Sequence, residues 1–581
     1  MTKRTKVVLL SIVAGLALAG TAGADVITYM DDIEDSTTWT SANTYKLGKQ
    51  IHVVGGATLT IQSGTVVKSD AGVGGSLAVC RDSFIHIMGT ADAPVIMTSS
   101  LDTMTSWHEG CNEWGNLTVM GNAIIGCSYH ATNSSQPTGD NQYLMEGFTE
   151  DPYDPTDSSQ SKWWYGGDDD DDDRGEIHYL SLRYGGKVAS LANELNGLSL
   201  GAIGRATEID HVEIMNNVDD GIEIWGGTVQ PKYVSIWNIG DDSFDIDQGW
   251  RGKAQFGLIV QGYSANASQG SGVGDNCFET DGAEDSDSQP VTTGVIYNFT
   301  AIGQPYDGDH GSSWRDNARV QYRNCIFMDL GGELVYFKNL DGDGAHGYGY
   351  NSTLTWEQTW DADYDDSLDW TSTVNAATPM PSPGAFNHPA VLYQSQVDGK
   401  LAEITDCVFY NNAAAGAYDE ADDLGVRDAG KNNVTATVSP IRNIDREDPP
   451  VVKSGKVMAR VISLDPRAAT NDSQNSVGAA PDDGFFTEAY YRGAFDGQDN
   501  WLAGWTAADA YGMIDTSVVN PPLAGDLDGD CFCGQNDLDI VLDAWGDSVP
   551  PGDPRADVSG DGFVGQSDLD VVLDDWGESC N

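Results

Sequence analysis

From about residue 45 to residue 440 the chain alternates apolar and polar positions with a period of two, in runs too short for helices. Examples are Ile51-His52-Val53-Val54, Ala57-Thr58-Leu59-Thr60-Ile61, Asn116-Leu117-Thr118-Val119-Met120, His178-Tyr179-Leu180-Ser181-Leu182 and Ala402-Glu403-Ile404. Gly, Asn and Asp punctuate these runs, and β-branched and aromatic residues fill them, which predicts many short strands joined by turns.

Between residues 208 and 249 the pattern repeats on itself. His211-Val212-Glu213-Ile214 recurs 22 residues later as Tyr233-Val234-Ser235-Ile236, and Asp219-Asp220-Gly221-Ile222-Glu223-Ile224 recurs as Asp241-Asp242-Ser243-Phe244-Asp245-Ile246. A repeat that holds two short strands and no helix reads as one coil of a solenoid, since a single coil cannot bury its own apolar face. Stacking then places Ile222 over Phe244, Ile224 over Ile246, Asp219 over Asp241 and Asp220 over Asp242. A β-sandwich is the alternative, although it does not require strands and turns to keep one spacing together. The predicted fold is mainly β: a right-handed parallel β-helix over 25–440, with insertions at 128–175 and 340–400. A segment at 441–520 closes the unit, a Pro-rich linker follows at 521–524, and a small α-helical module occupies 525–581.

The first 24 residues read as an export signal. Lys3, Arg4 and Lys6 precede an apolar run from Val7 to Ala19, and Ala22-Gly23-Ala24 gives the small-residue cleavage pattern. The run is too short for a membrane span, and no other approaches the ~20 apolar residues one needs. A secreted or extracellular protein is expected, free or attached to a cell surface. The 581 residues carry a net charge of −59, with 70 Asp against 19 Glu. Such a field repels nucleic acid and anionic membranes. Asp favours turns and Glu favours helices, so the imbalance predicts a loop-rich chain whose turns are lined with carboxylates. Nine Cys in an exported chain permit disulfides. Cys111 and Cys127 bracket a segment they could close, whereas Cys80, Cys277, Cys325 and Cys407 fall in strand-like runs and read as small buried residues.

Residues 525–577 contain a second tandem repeat, offset by 31. Asp526-Leu527-Asp528-Gly529-Asp530 leads to Asp537, and Asp557-Val558-Ser559-Gly560-Asp561 leads to Asp568. Oxygen-bearing residues at loop positions 1, 3, 5 and 12 suit calcium, which takes six to eight hard oxygens. The predicted side-chain ligands are Asp526, Asp528, Asp530 and Asp537, then Asp557, Ser559, Asp561 and Asp568, with backbone carbonyls from Phe532 and Phe563. Each loop continues as Leu-Asp-x-Val-Leu-Asp and ends in Trp-Gly, the pattern of a short amphipathic helix. This tail resembles the type I dockerin family. The resemblance implies a calcium-loaded module that docks on a cohesin-like or cell-surface protein, with recognition centred on Gln535-Asn536 and Gln566-Ser567. Departures are Cys531 at the usual Gly, Cys533 at the apolar position, and Asp543 and Asp574-Asp575 where dockerins carry basic residues. Cys531 and Cys580 are a disulfide candidate that would tie the module's start to its end.

The stretch from Glu176 to about Gly303 resembles a family of exported bacterial parallel β-helix proteins of mostly unassigned function, which implies a pectate-lyase-like solenoid fold. The matching runs are Asn196-Gly197-Leu198-Ser199-Leu200, Asp219-Asp220-Gly221 to Gly226-Gly227-Thr228-Val229, and Lys253-Ala254-Gln255-Phe256-Gly257; Tyr491-Arg492-Gly493-Ala494-Phe495 and Gly504-Trp505-Thr506 also match. Two functions follow. One is binding of an extracellular polysaccharide, or surface display, with the tail as attachment. The other is polysaccharide cleavage by a lyase or glycoside hydrolase. Asp219, Asp220, Asp241 and Asp242 resemble the aspartates of polygalacturonases, which also carry a His-Gly pair and an Arg-x-Lys further along. No such residues stand at the corresponding offsets, and His310-Gly311 lies far down the chain. For a lyase, Arg251, Lys253 and Arg315 are the candidate bases. Stacked turn aspartates more often hold calcium or structure than catalyse, so binding is the favoured expectation.

Overall fold

The computed structural model describes residues 25–127, 142–148, 162–188, 194–263, 274–282, 290–316, 318–337, 360, 363–364, 399–400, 402–412, 431–469, 475–517, 523–529 and 532–579. The Cys531–Cys580 pair, Asp530 and most of the 340–400 insertion lie outside these residues.

Among the described residues the strands gather chiefly into a broad sheet of 17 strands and a narrow sheet of nine. Pairing between successive coils is parallel. In the narrow sheet, Leu198–Gly201 pairs with Ile222–Trp225, then Phe244–Asp247, Phe278–Asp281, Ser312–Arg315 and Val335–Phe337. In the broad sheet, Gly175–Arg183 is followed by Glu208–Met215, Gln230–Trp237, Lys253–Val260 and Val295–Ile302. The chain therefore alternates between the two sheets once per coil, which is a parallel β-helix and not a sandwich.

The register places Ile222 beside Phe244 and Ile224 beside Ile246, as the 22-residue repeat requires. These side chains are fully buried in one core with Leu198, Leu200, Phe278 and Trp314. Each such burial is worth about 1.5–3 kcal/mol, and alternation sends the intervening Glu223, Asp245 and Glu279 to the outer face.

Each long strand of the broad sheet bends at one residue with positive φ: Tyr179 (50°), His211 (53°), Tyr233 (54°), Phe256 (60°) and Asn298 (55°). Left-handed backbone costs a bulky residue roughly 1–2 kcal/mol. Stacking offsets this, because Tyr179, His211, Tyr233 and Phe256 form a ladder with centroid spacings of 4.1, 4.4 and 5.0 Å. Trp501 and Trp505 meet the ladder edge-on.

Those tryptophans belong to the 441–520 segment, which packs along the outer face of the broad sheet. Met215, Trp237, Leu258, Ile302 and Met328 share a second core with Val461, Leu464, Phe495, Leu502 and Ala507. The buried Glu213 carboxylate fixes this join by accepting from the Ala507 and Ala508 N–H groups at 2.5 and 3.0 Å. The described parts of the 128–175 insertion pack elsewhere. Met145, Phe148, Trp163 and Tyr165 lie against Met120, Ile125 and Trp225.

Cys111 and Cys127 are buried thiols with no disulfide joining them, so that expected loop closure does not form. Cys80, Cys277, Cys325 and Cys407 are buried as their strand context predicts. At the C-terminal end, helices Gln535–Asp543 and Gln566–Asp574 pack around Cys533, Val541, Ala556, Val564 and Val572.

Candidate functional site

One corner of the helix, just before each narrow-sheet strand, collects the turn aspartates. Register aligns Asn196, Asp220, Asp242, Asn276, His310 and Glu333 in a single column. Within it, each side-chain oxygen accepts from the next coil's backbone. The Asp220 N–H donates to Asn196 Oδ1 (3.1 Å), the Asp242 N–H to Asp220 Oδ1 (2.8 Å), and the Asn276 N–H to Asp242 Oδ1 (2.6 Å). Asp220 and Asp242 thus use one carboxylate oxygen to clamp coils together.

Other carboxylates crowd around Asp220 and Asp242. Carboxylate oxygens of Asp219, Asp220 and Asp241 lie within 4.8 Å of one another, as do those of Asp220, Glu223 and Asp245, those of Asp241, Asp242 and Asp275, and those of Glu146, Glu194 and Asp219. Asp220, Glu223, Asp242, Asp245, Glu194 and Glu279 are buried. Asp245 is 5% exposed, and its Oδ1 has no hydrogen-bond partner. Burial, reinforced by the neighbouring carboxylates, pushes Asp219, Asp220, Glu223, Asp242 and Asp245 well above the usual carboxylate range. Glu146 is pushed up to about 7 for the same reason.

A guanidinium also faces this set. Arg315 donates to Asp281 Oδ2 at 2.5 Å and to Glu279 Oε2 at 2.8 Å. Burial alone would loosen its proton, but Asp281 and Glu279 outweigh burial and hold the guanidinium charged. A buried carboxylate group this dense needs bound protons or a cation. Asp245, with one unpartnered oxygen and grouped with Asp220 and Glu223, fits a hard divalent ion, whose ligands are oxygens.

The structure brings Asp219, Asp220, Asp241 and Asp242 together, as the repeat predicts. It separates them from Arg251 and Lys253, which come after the strand Phe244–Asp247 and so sit beyond its other end. Arg251 is buried there, donating to Asp170 Oδ2 at 2.5 Å and Oδ1 at 2.7 Å and to the Ile124 carbonyl at 3.0 Å. Lys253 pairs with Asp483 of the packed flank segment. Neither is placed as a base at the aspartates. Conversely, His310-Gly311, remote by sequence offset, falls in the aspartate column two coils beyond Asp242. His310 Nδ1 accepts there from the Glu333 N–H at 3.0 Å. Sequence reasoning missed Glu146, Glu194, Glu223, Asp245, Asp275 and Glu279 as site residues. Of these, only Glu223 and Asp245 lie in the 22-residue repeat; the others share no such spacing, and single acidic residues in or near short strands are too common in this chain to select.

The tail aspartates are handled differently. Asp537 accepts from the N–H groups of Leu527, Asp528 and Gly534 at 2.6, 3.1 and 2.7 Å. Its repeat mate Asp568 accepts from Ser559 and Gly565, both at 2.8 Å. Asp526 accepts from Gly529, and Asp557 from Asp561 and Gly562. Phe532 and Phe563 occupy matching isolated bridges, to Ser579 and Ser548. The described parts of the two loops therefore share two of these bonds, to Asp537 and Asp568, at an offset of 31 residues, and oxygen donors line both.

No curated protein and no solved structure matches the chain. A family described as the pectate-lyase-like β-helix domain matches residues 31–355, more than half of the sequence. Coil stacking and two parallel sheets agree with that match, and the chain belongs to the pectate-lyase-like β-helix domain family.

Proposed function

We propose that this is a secreted β-helix protein that binds an acidic extracellular polysaccharide through calcium held at the narrow-sheet corner. Its C-terminal loops take calcium as a dockerin-like attachment module. The observation that carries the reading is Asp245, buried and without a hydrogen-bond partner on Oδ1, grouped with Asp220 and Glu223. Calcium there would offset part of the carboxylate charge and offer a coordination position to a uronate carboxylate. Without the ion, the same surface repels such a polymer.

Attachment rests on the paired loops, whose Asp526, Asp528, Asp537, Asp557, Ser559, Asp561 and Asp568 supply oxygen donors at calcium-loop spacing. Exposed Leu542, Trp545, Leu573 and Trp576 recur at and just past the C-terminal ends of the two helices and offer a cohesin-like or cell-surface partner matched apolar contacts. No helix among the described residues is long and apolar enough to cross a membrane.

Polysaccharide cleavage is the second reading, favoured by the arrival of His310 and Arg315 on the same sheet as the carboxylates. Binding is preferred because Arg315 is held charged by Glu279 and Asp281, which makes it a poor proton acceptor. The purified protein should retain polygalacturonate, and not a neutral glycan, in calcium but not in chelator. Asp245→Asn should lose that retention. Retention that ignores calcium overturns the binding reading, and unsaturated products or new reducing ends would favour cleavage.

A further inference from the structure

The broad sheet carries another set of ionisable groups on its outer face, apart from the corner and the tail. Register aligns Thr60, His86, Glu176 and Glu208 in one outward column. Met88, His178, Asp210 and Lys232 align in the next. Glu176 and Glu208 are direct cross-strand neighbours, an arrangement that is destabilising for like charges. His178 reaches between them. Its Nε2 is 3.3 Å from Glu176 Oε2 and 3.8 Å from Glu208 Oε2.

The surrounding groups orient these three. His178 Nδ1 lies 2.8 Å from Asp210 Oδ2, and the other Glu176 oxygen lies 2.9 Å from His86 Nδ1. With the Nδ1 proton given to Asp210, the Nε2 lone pair converges with two carboxylate oxygens. This is the carboxylate–histidine–metal arrangement in which an outer carboxylate fixes the tautomer. Donor atoms around a tetrahedral ion with bonds of ~2.0–2.1 Å stand ~3.4 Å apart, close to the spacings seen. An open cavity of about 600 Å³, lined by Thr60, Gln62, Ser63, His86 and Glu176 among others, adjoins the set.

We propose that His178, Glu176 and Glu208 bind a divalent transition-metal ion of the zinc class, oriented by Asp210 and His86 and open toward that cavity. The imidazole donor separates this site from the all-oxygen corner and tail, because calcium prefers oxygen and zinc accepts nitrogen readily. Three protein donors leave a position for water or for a hydroxyl of a ligand in the cavity, unlike closed structural zinc sites.

The test is a titration of the full-length protein with cobalt(II), in excess calcium so that oxygen-only sites are filled. A visible absorption band from imidazole-bound cobalt should saturate at one ion per chain, and zinc should displace it. His178→Ala should abolish the band, and Asp210→Asn should weaken binding ~10–100-fold through loss of orientation. Glu208→Gln is the safeguard against misfolding, because this exposed side chain can lose its charge without disturbing the core; it should also weaken binding. The proposal is overturned if no band forms, or if folded His178→Ala and Glu208→Gln proteins keep the wild-type band and affinity.

Discussion

The narrow-sheet corner and the C-terminal loops are both built from aspartates at a fixed repeat, yet they handle negative charge in opposite ways. In the loops, backbone N–H groups turn toward the carboxylates, so Asp537 and Asp568 are buried but satisfied. At the corner, the backbone N–H groups are largely committed to coil-to-coil pairing. Asp220 and Asp242 each receive one such bond, and Asp245 Oδ1 receives none. The proton affinities follow. Although burial works against it, bonds from the Ser559 and Gly565 N–H groups hold Asp568 below the usual range. Burial and like charges hold the corner carboxylates above it. A short loop can rotate its amides toward a charge, and a β-ladder cannot.

The largest effect should come from the other end of the narrow strands, where a carboxylate does have its own cation. Arg251→Met leaves Asp170 in its partly buried site without a guanidinium and should cost ~3–5 kcal/mol in chemical denaturation at neutral pH. The corner's response to calcium should not change. If Arg251→Met also removed that response, the two ends would not be independent.

Next in size is the pH dependence of the calcium-free protein. Corner carboxylates bind protons more tightly when folded than when unfolded. Their contribution is therefore full below the ordinary carboxylate range and is lost as pH rises through the folded values, for Glu146 through about 7. Each tenfold displacement of a proton equilibrium is worth ~1.4 kcal/mol. The β-helix melting temperature should fall between pH 5 and 8 in chelator, and calcium should flatten the curve. The loops carry the reverse sign. Asp568 stabilises above the ordinary carboxylate range, and that contribution is lost as pH falls. A rising melting temperature for the calcium-free β-helix would break the contrast.

Asp245→Asn sharpens it further. Removing one charge from the corner should stabilise the calcium-free protein at pH 8 by ~1–3 kcal/mol, the scale of one uncompensated buried polar group, while reducing the stabilisation by calcium. A loss of stability in chelator would show that Asp245 has a partner. Smallest is Asp568→Ala, at ~1–2 kcal/mol, because it removes the helix-capping carboxylate of the second loop. Far-UV dichroism should lose part of its helical signal while the strand signal stays, and chelation should do the same to the wild type. An unchanged helical signal in both would refute calcium loading of the loops.

The sequence alone determined what depends on short, regular spacing. A period of two fixes which side of a strand is apolar. A 22-residue offset fixes that Ile222 stacks on Phe244, and a 31-residue offset makes the two tail loops alike. Tertiary structure decided what depends on coils of unequal length. The coil after Asp242 is 34 residues, since Phe244 pairs with Phe278, so Asn276 and His310 join the aspartate column with no repeat to announce them. His86 meets Glu176 across 90 residues of chain, and Glu146 reaches Asp219 from an insertion. Arg251 is near Asp242 in sequence, but a four-residue strand carries it past the far end of the sheet. Local periodicity is set by backbone geometry within a strand, whereas neighbours between coils are set by how irregular loops close. Only packing settles that.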